Sequence, residues 1–248
     1  MNRIHVGVGG WTFEPWRNNF YPAGLAHAKE LQYASRQFTA VEVNGTFYST
    51  FKPATFAKWR DETPDGFVFS LKAHRFTTHR RELAGAAEGI ARFIGSGIAE
   101  LGDKLGPILW QLMPSTMFDP DNIEPFLRLL PREVQGRPLR HVLDARHPSF
   151  ACEPYLDLLA RHDCTTVYTD SDKYPSIPHA RSDLAYLRLM RSREDCATGY
   201  PLAQLAPWAR GARDWVAMDE RKEALVFFIN GAKERAPHAA KAFLEQLG

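Results

Sequence analysis

The stretch Thr39-Ala40-Val41-Glu42-Val43-Asn44 alternates apolar and polar residues from Val41 onward and ends at a glycine. Successive side chains of a strand point to opposite faces, so Val41 and Val43 share one face while Glu42 and Asn44 share the other. A carboxylate inside an apolar strand is costly to bury alone, so the polar face must meet either compensating charge or an open site. The pattern recurs. Phe69 and Leu71 stand opposite Ser70 and Lys72, and Leu143 and Ala145 stand opposite Asp144 and Arg146. Tyr168 with Asp170, Tyr186 with Arg188, and Phe228 with Asn230 read as further members of the polar, inward set.

Outward from that stretch, eight segments are short, apolar or β-branched, and bounded by turn formers: 6–9, 39–44, 67–73, 108–112, 141–146, 165–170, 184–190 and 225–230. The intervening segments carry helical spacing, as in Ala240, Phe243, Leu244 and Leu247, or Ile90, Phe93, Ile94, Ile98 and Leu101. Asp119-Pro120 supplies a cap followed by a helix-starting proline, and Pro237 can play the same part in the last helix. Strand and helix therefore alternate, which predicts an α/β chain folded as a single (β/α)8 TIM-type barrel over residues 1–248. The connection 171–183 has two prolines and little apolar periodicity, so an irregular or missing helix is expected between the sixth and seventh strands. The segments end at Trp11, Asn44, Lys72, Gln111, Arg146, Asp170, Arg188 and Asn230, which places a polar mouth at one rim.

Composition narrows the class. The 248 residues are 44% hydrophobic and 24% charged, an ordinary soluble balance. No apolar run approaches the roughly 20 residues that cross a bilayer. Met1 leads into a strand-like segment rather than a cleavable leader, so a cytoplasmic location and no membrane partner are expected. Three cysteines in no paired spacing give neither a disulfide framework nor a zinc site. The net charge of +2 is too mild to imply nucleic acid by itself, although His74-Arg75-Phe76-Thr77-Thr78-His79-Arg80-Arg81 is a local basic stretch with an aromatic.

Several phrases, in order, resemble the YecE-like family, domain of unknown function 72. They include Gly9-Gly10-Trp11, Phe20-Tyr21-Pro22, Val41-Glu42-Val43-Asn44 with Thr46-Phe47-Tyr48, Thr63-Pro64-Asp65-Gly66-Phe67 and Phe69 to Lys72 with Thr78-His79. Leu109 to Leu112, Arg146-His147, Tyr186 to Leu189 and Phe228 to Asn230 complete the set. The resemblance implies a TIM-type barrel and a site at its mouth, and the family carries no settled activity. The chain departs from the family pattern at Asp144, where Glu is usual, at Met190-Arg191, where His-Gly is usual, and at Gly231, where a second Asn is usual.

Glu42, Asp144 and Asp170 offer carboxylates, and Lys72, Arg146 and Arg188 offer cations, all expected to point inward as a paired network. On this reading Glu42 and Asp144 handle protons, with Lys72 and His79 as further catalytic candidates. Arg146 and Arg188 clamp an anion, Asn44, Gln111 and Asn230 orient it, and Trp11, Tyr48, His147 and Asp170 complete the binding wall. The inward cations already neutralise the carboxylates, so no metal is expected, and no phosphate-cradling or nucleotide motif calls for a cofactor. The leading expectation is a metal-independent acid/base enzyme for a small anionic molecule, phosphorylated or carboxylated. The alternative is a nucleic-acid-binding protein or phosphodiesterase-like hydrolase, in which the loop 75–81 grips the backbone and Trp11 or Tyr48 stacks a base. A barrel that senses a metabolite without turning it over is the third.

Overall fold

The computed structural model describes residues 3–178 and 181–248; Met1-Asn2, and His179-Ala180 within the expected irregular connection, lie outside the described residues. Eight parallel strands close into a barrel: β1 (Ile4–Gly9), β2 (Ala40–Val43), β3 (Val68–Lys72), β4 (Leu105–Gln111), β5 (His141–Asp144), β6 (Cys164–Asp170), β7 (Leu184–Leu189) and β8 (Glu223–Phe228). Each strand bonds to its sequence neighbours, and β1 closes the ring against β8 with Val6 opposite Val226. The barrel thus follows the α/β alternation read from the sequence.

The barrel interior below the mouth is filled by Ala40, Val68, Leu109, Val142, Val167, Leu184, Leu225 and Phe227. Alternate residues such as Val41, Phe69, Trp110, Leu143 and Val226 face outward into the larger apolar layer under the helices. Those helices are α1 (Glu30–Ala34), α2 (Gly45–Tyr48), α3 (Pro53–Glu62), α4 (Ala87–Ile94), α5 (Pro120–Leu129), α6 (Glu153–Arg161), α7 (Leu202–Ala217) and α8 (Ala236–Leu247). Asp119 caps α5 through its side chain, which accepts from the Asp121 N–H at 3.0 Å, with Pro120 in the first turn. None of the helices is long and apolar enough to cross a membrane.

Three expectations change. The run from Ile90 to Leu101 is two pieces, because α4 ends at Gly95 and a 3-10 stretch begins after Gly97, whose φ of +105° no other residue adopts easily. A side chain at Gly97 would also meet Pro53 at 2.7 Å. Secondly, the strand parity of β6 is the reverse of that expected: in-register pairing puts Thr169 beside the inward Arg188 and Asp170 beside the outward Leu189. Tyr168 accordingly packs edge-on against Trp208 of α7, at 5.6 Å between ring centres. Thirdly, β8 turns Phe227 and Ile229 inward and Phe228 outward against Tyr200 and Phe243. Asn230 still reaches the mouth, because the chain has left the strand there and takes a left-handed turn with φ +63°. Among the described residues of 171–183 no helix forms, as its prolines suggested.

Candidate functional site

Charges at the carboxyl ends of β2, β5 and β7 form one buried network. Glu42 has no solvent exposure, and Arg188 and Asp144 have 2% each. Arg188 bridges the two acids, donating from Nη2 to Glu42 Oε1 at 3.0 Å and from Nη1 to Asp144 Oδ2 at 2.6 Å. Tyr186 Oη donates to the other Glu42 oxygen at 2.8 Å and lies 2.8 Å from Ser70 Oγ. Arg146 approaches Asp144 Oδ2 from above with Nε at 3.0 Å and Nη2 at 2.9 Å, and the same Nη2 reaches Gln111 Oε1 at 2.7 Å. Two acids held by two guanidiniums satisfy the requirement that buried charge be paired. Burial by itself would raise the Asp144 pKa, but Arg188 and Arg146 outweigh it and hold the carboxyl below its usual range. Arg188 resists losing its proton despite burial, because Glu42 and Asp144 stabilise the cation.

Above this network opens a cavity of about 440 Å³. Trp11, Asn44, Tyr48, Lys72, Gln111, Arg146, Arg188, Asn230 and Lys233 line it, together with the backbone of Gly9 and Gly10. Lys72 is 6% exposed and brings its ammonium to 4.0 Å from the centre of the Phe47 ring. Among the described residues no carboxylate lies within ion-pair distance of that ammonium. Its pKa falls from 10.5 to about 8, first because of burial and then because of Arg188; Glu42 and Asp144 oppose the fall. Lys233 stands 4.2 Å from the Phe13 ring, its proton affinity also lowered by burial. Four cations and two acids meet here, so positive charge is left over at the opening.

The expected residues divide into three groups. Lys72, Arg146, Arg188, Gln111, Asn44, Asn230, Trp11 and Tyr48 meet in the cavity. Glu42 and Asp144 lie beneath it, on the network, and do not line it. The inward placement of Asp170 is corrected by the parity of β6: its carboxylate accepts from Tyr200 Oη at 3.2 Å and pairs with Arg191 at 3.3 Å. His147 caps a 3-10 turn, where its Nδ1 accepts from the Ser149 N–H at 3.2 Å. His79 is exposed at the rim, edge-on to Phe47 at 5.0 Å, its proton affinity lowered by partial burial and by Lys72. Sequence reading missed Lys233, Phe47 and Tyr174, whose ring lies 4.5 Å from the Arg146 guanidinium. Lys233 carries no strand-end signal, since it follows the turn at Gly231. Among the described residues no three His, Cys, Asp or Glu side chains group as a metal site.

A family model described as "Protein of unknown function DUF72" matches residues 5–248. The chain belongs to the DUF72 family. The Escherichia coli K12 relative "UPF0759 protein YecE" is 29% identical over 150 residues, which are 59% of this chain and 50% of that one. The aligned part thus spans half the length of that relative. Among solved structures, a DUF72 family protein from Thermotoga maritima MSB8 superposes with a TM-score of 0.77 at 24% identity, covering 99% of both chains. Another from Enterococcus faecalis V583 gives 0.76 at 16% identity, covering 100% of this chain and 98% of that one. At these identities the two structures speak for the shared DUF72 barrel.

Proposed function

We propose that this DUF72 protein is an acid/base enzyme for a small anionic substrate, phosphorylated or carboxylated, bound at the barrel mouth. The observation that carries the reading is Lys72: a cavity-facing ammonium with no carboxylate partner, beside two acids already engaged by Arg188 and Arg146. A confined positive surplus is stabilised by an anion, and a guanidinium with spare donors is suited to a carboxylate or phosphate. In this reading Glu42 and Asp144 are positioning residues that brace the guanidiniums. Proton transfer falls to Lys72, whose pKa of about 8 lies close to working pH. Asn44 and Asn230 supply amide donors for the neutral part of the substrate.

Calorimetric titration with malonate tests this, because malonate keeps one charge state between about pH 7 and 9.5. Binding should be present at pH 7 and weaken as pH rises through about 8, since the anion loses its cation when Lys72 gives up its proton. The Lys72→Met variant should bind about tenfold more weakly or worse, and its affinity should no longer depend on pH in that window. Equal malonate affinity in wild type and variant would refute the reading.

The rim favours a second reading. Tyr48 and Phe76 are each 63% exposed, Phe76 within the basic stretch 74–81 and Tyr48 next to Phe47, which packs against His79 of that stretch, a combination suited to single-stranded nucleic acid. Oligonucleotide retention that falls steeply with salt would support it, and no retention at low salt would dismiss it.

A further inference from the structure

The four cations of the mouth are not equivalent. Arg188 is tied to Glu42 and Asp144, Arg146 is tied to Asp144 and Gln111, and Lys233 stands at the outer wall over Phe13. Lys72 alone among them combines burial, an aromatic wall and an ammonium that makes no hydrogen bond or ion pair among the described residues. Arg188 and Arg146 are its cationic neighbours, and Glu42 and Asp144 act on it from beneath. That environment keeps an amine available as a nucleophile: burial and the neighbouring positive charge of Arg188 and Arg146 disfavour the ammonium, and they outweigh the pull of the Phe47 ring face, Glu42 and Asp144.

We propose that the Lys72 amine attacks the carbonyl carbon of a small oxo compound bearing a carboxylate or phosphate, forming an imine in the barrel mouth. The proposal rests on the anion-binding reading, because the anionic group held by Arg146 is what delivers the carbonyl to Nζ. The nitrogen lone pair forms the new N–C bond while the carbonyl π electrons move to oxygen, which takes up a proton. The carbinolamine then releases that oxygen as water. The nitrogen gives up both of its protons overall, the C=N bond forms, and nothing is oxidised or reduced. With a pKa of about 8, about a tenth of the amine is unprotonated at pH 7, against well under about 0.1% for a solvated lysine.

The test is reductive trapping on the whole chain. Cyanoborohydride is added with pyruvate in one arm and dihydroxyacetone phosphate in the other, and modified lysines are mapped by peptide mass spectrometry. Lys72 should be modified about tenfold or more faster than exposed lysines such as Lys58, and malonate should suppress that label. Whichever probe labels Lys72 identifies the anionic group, carboxylate or phosphate. The Lys72→Arg variant should still be stabilised by malonate against heat and carry no label at that position; if it folds poorly, the malonate competition on wild type decides. Label spread evenly over exposed lysines while malonate still raises the Tm overturns the imine and leaves the anion site standing. Neither label nor thermal shift overturns both.

Discussion

Asp144 is the residue on which the mouth turns, because one of its oxygens receives both Arg188 and Arg146. Removing one partner of a buried pair leaves charge without compensation, which typically costs about 3–5 kcal/mol. We expect Asp144→Ala to lose stability of that order in urea unfolding, and to weaken malonate binding because Arg146 is no longer held; a loss below about 1 kcal/mol would mean that the network is ornamental. The alternation at Glu42, Lys72, Asp144 and Arg188 was legible in the sequence, and the structure brings these side chains together. Their division of labour was not. Which acids line a cavity and which lie beneath it depends on side-chain reach, and Arg188 draws both carboxylates away from the opening. Asp170 failed for another reason: a strand read one residue out of step reverses every side chain on it, and only the pairing with β7 fixes that step.

At the scale of elements, β1 must approach β2 closely for the ring to close. A Cβ on Gly7 would stand 1.9 Å from the Ala40 carbonyl oxygen, so the strands have to part to admit any side chain. Gly7→Ala should therefore cost about 1–3 kcal/mol or more, read as a lowered urea midpoint, whereas an unchanged midpoint would show that the ring tolerates a wider β1–β2 gap. The eight strands were recoverable because each is a short apolar or β-branched segment bounded by turn formers. The break after α4 was hidden, since Ile90, Phe93, Ile98 and Leu101 keep helical spacing across it; only the glycines at 95 and 97 marked it. That the described residues of 171–183 form no helix before β7 was legible from their prolines.

For the whole molecule, the two ends of the barrel carry different charge logic. At the amino-terminal end Glu223 pairs with His5 at 3.1 Å and with Arg140. Burial there would raise its pKa, but His5 and Arg140 bring it from 4.5 down to about 2. A carboxyl depressed by folding stabilises the fold above its unfolded pKa, so this contribution is complete near neutrality and is lost as pH falls from about 4.5 through about 2. Acid titration of the urea midpoint should show that decline, and Glu223→Gln should flatten it. At the mouth the same linkage acts through a ligand: malonate at about 100 times its Kd should add about 2.7 kcal/mol, a Tm gain of roughly 5–10 °C for a chain of this size.

The most direct measurement is a crystal of the protein soaked with malonate at pH 7. The anion should lie in the cavity with an oxygen within hydrogen-bond distance of Lys72 Nζ and another on Arg146, and with Glu42 and Asp144 still bound to Arg188. A clear malonate site elsewhere with an empty mouth, or an anion that displaces Lys72 outward, would contradict the assignment of this cavity as an anion site.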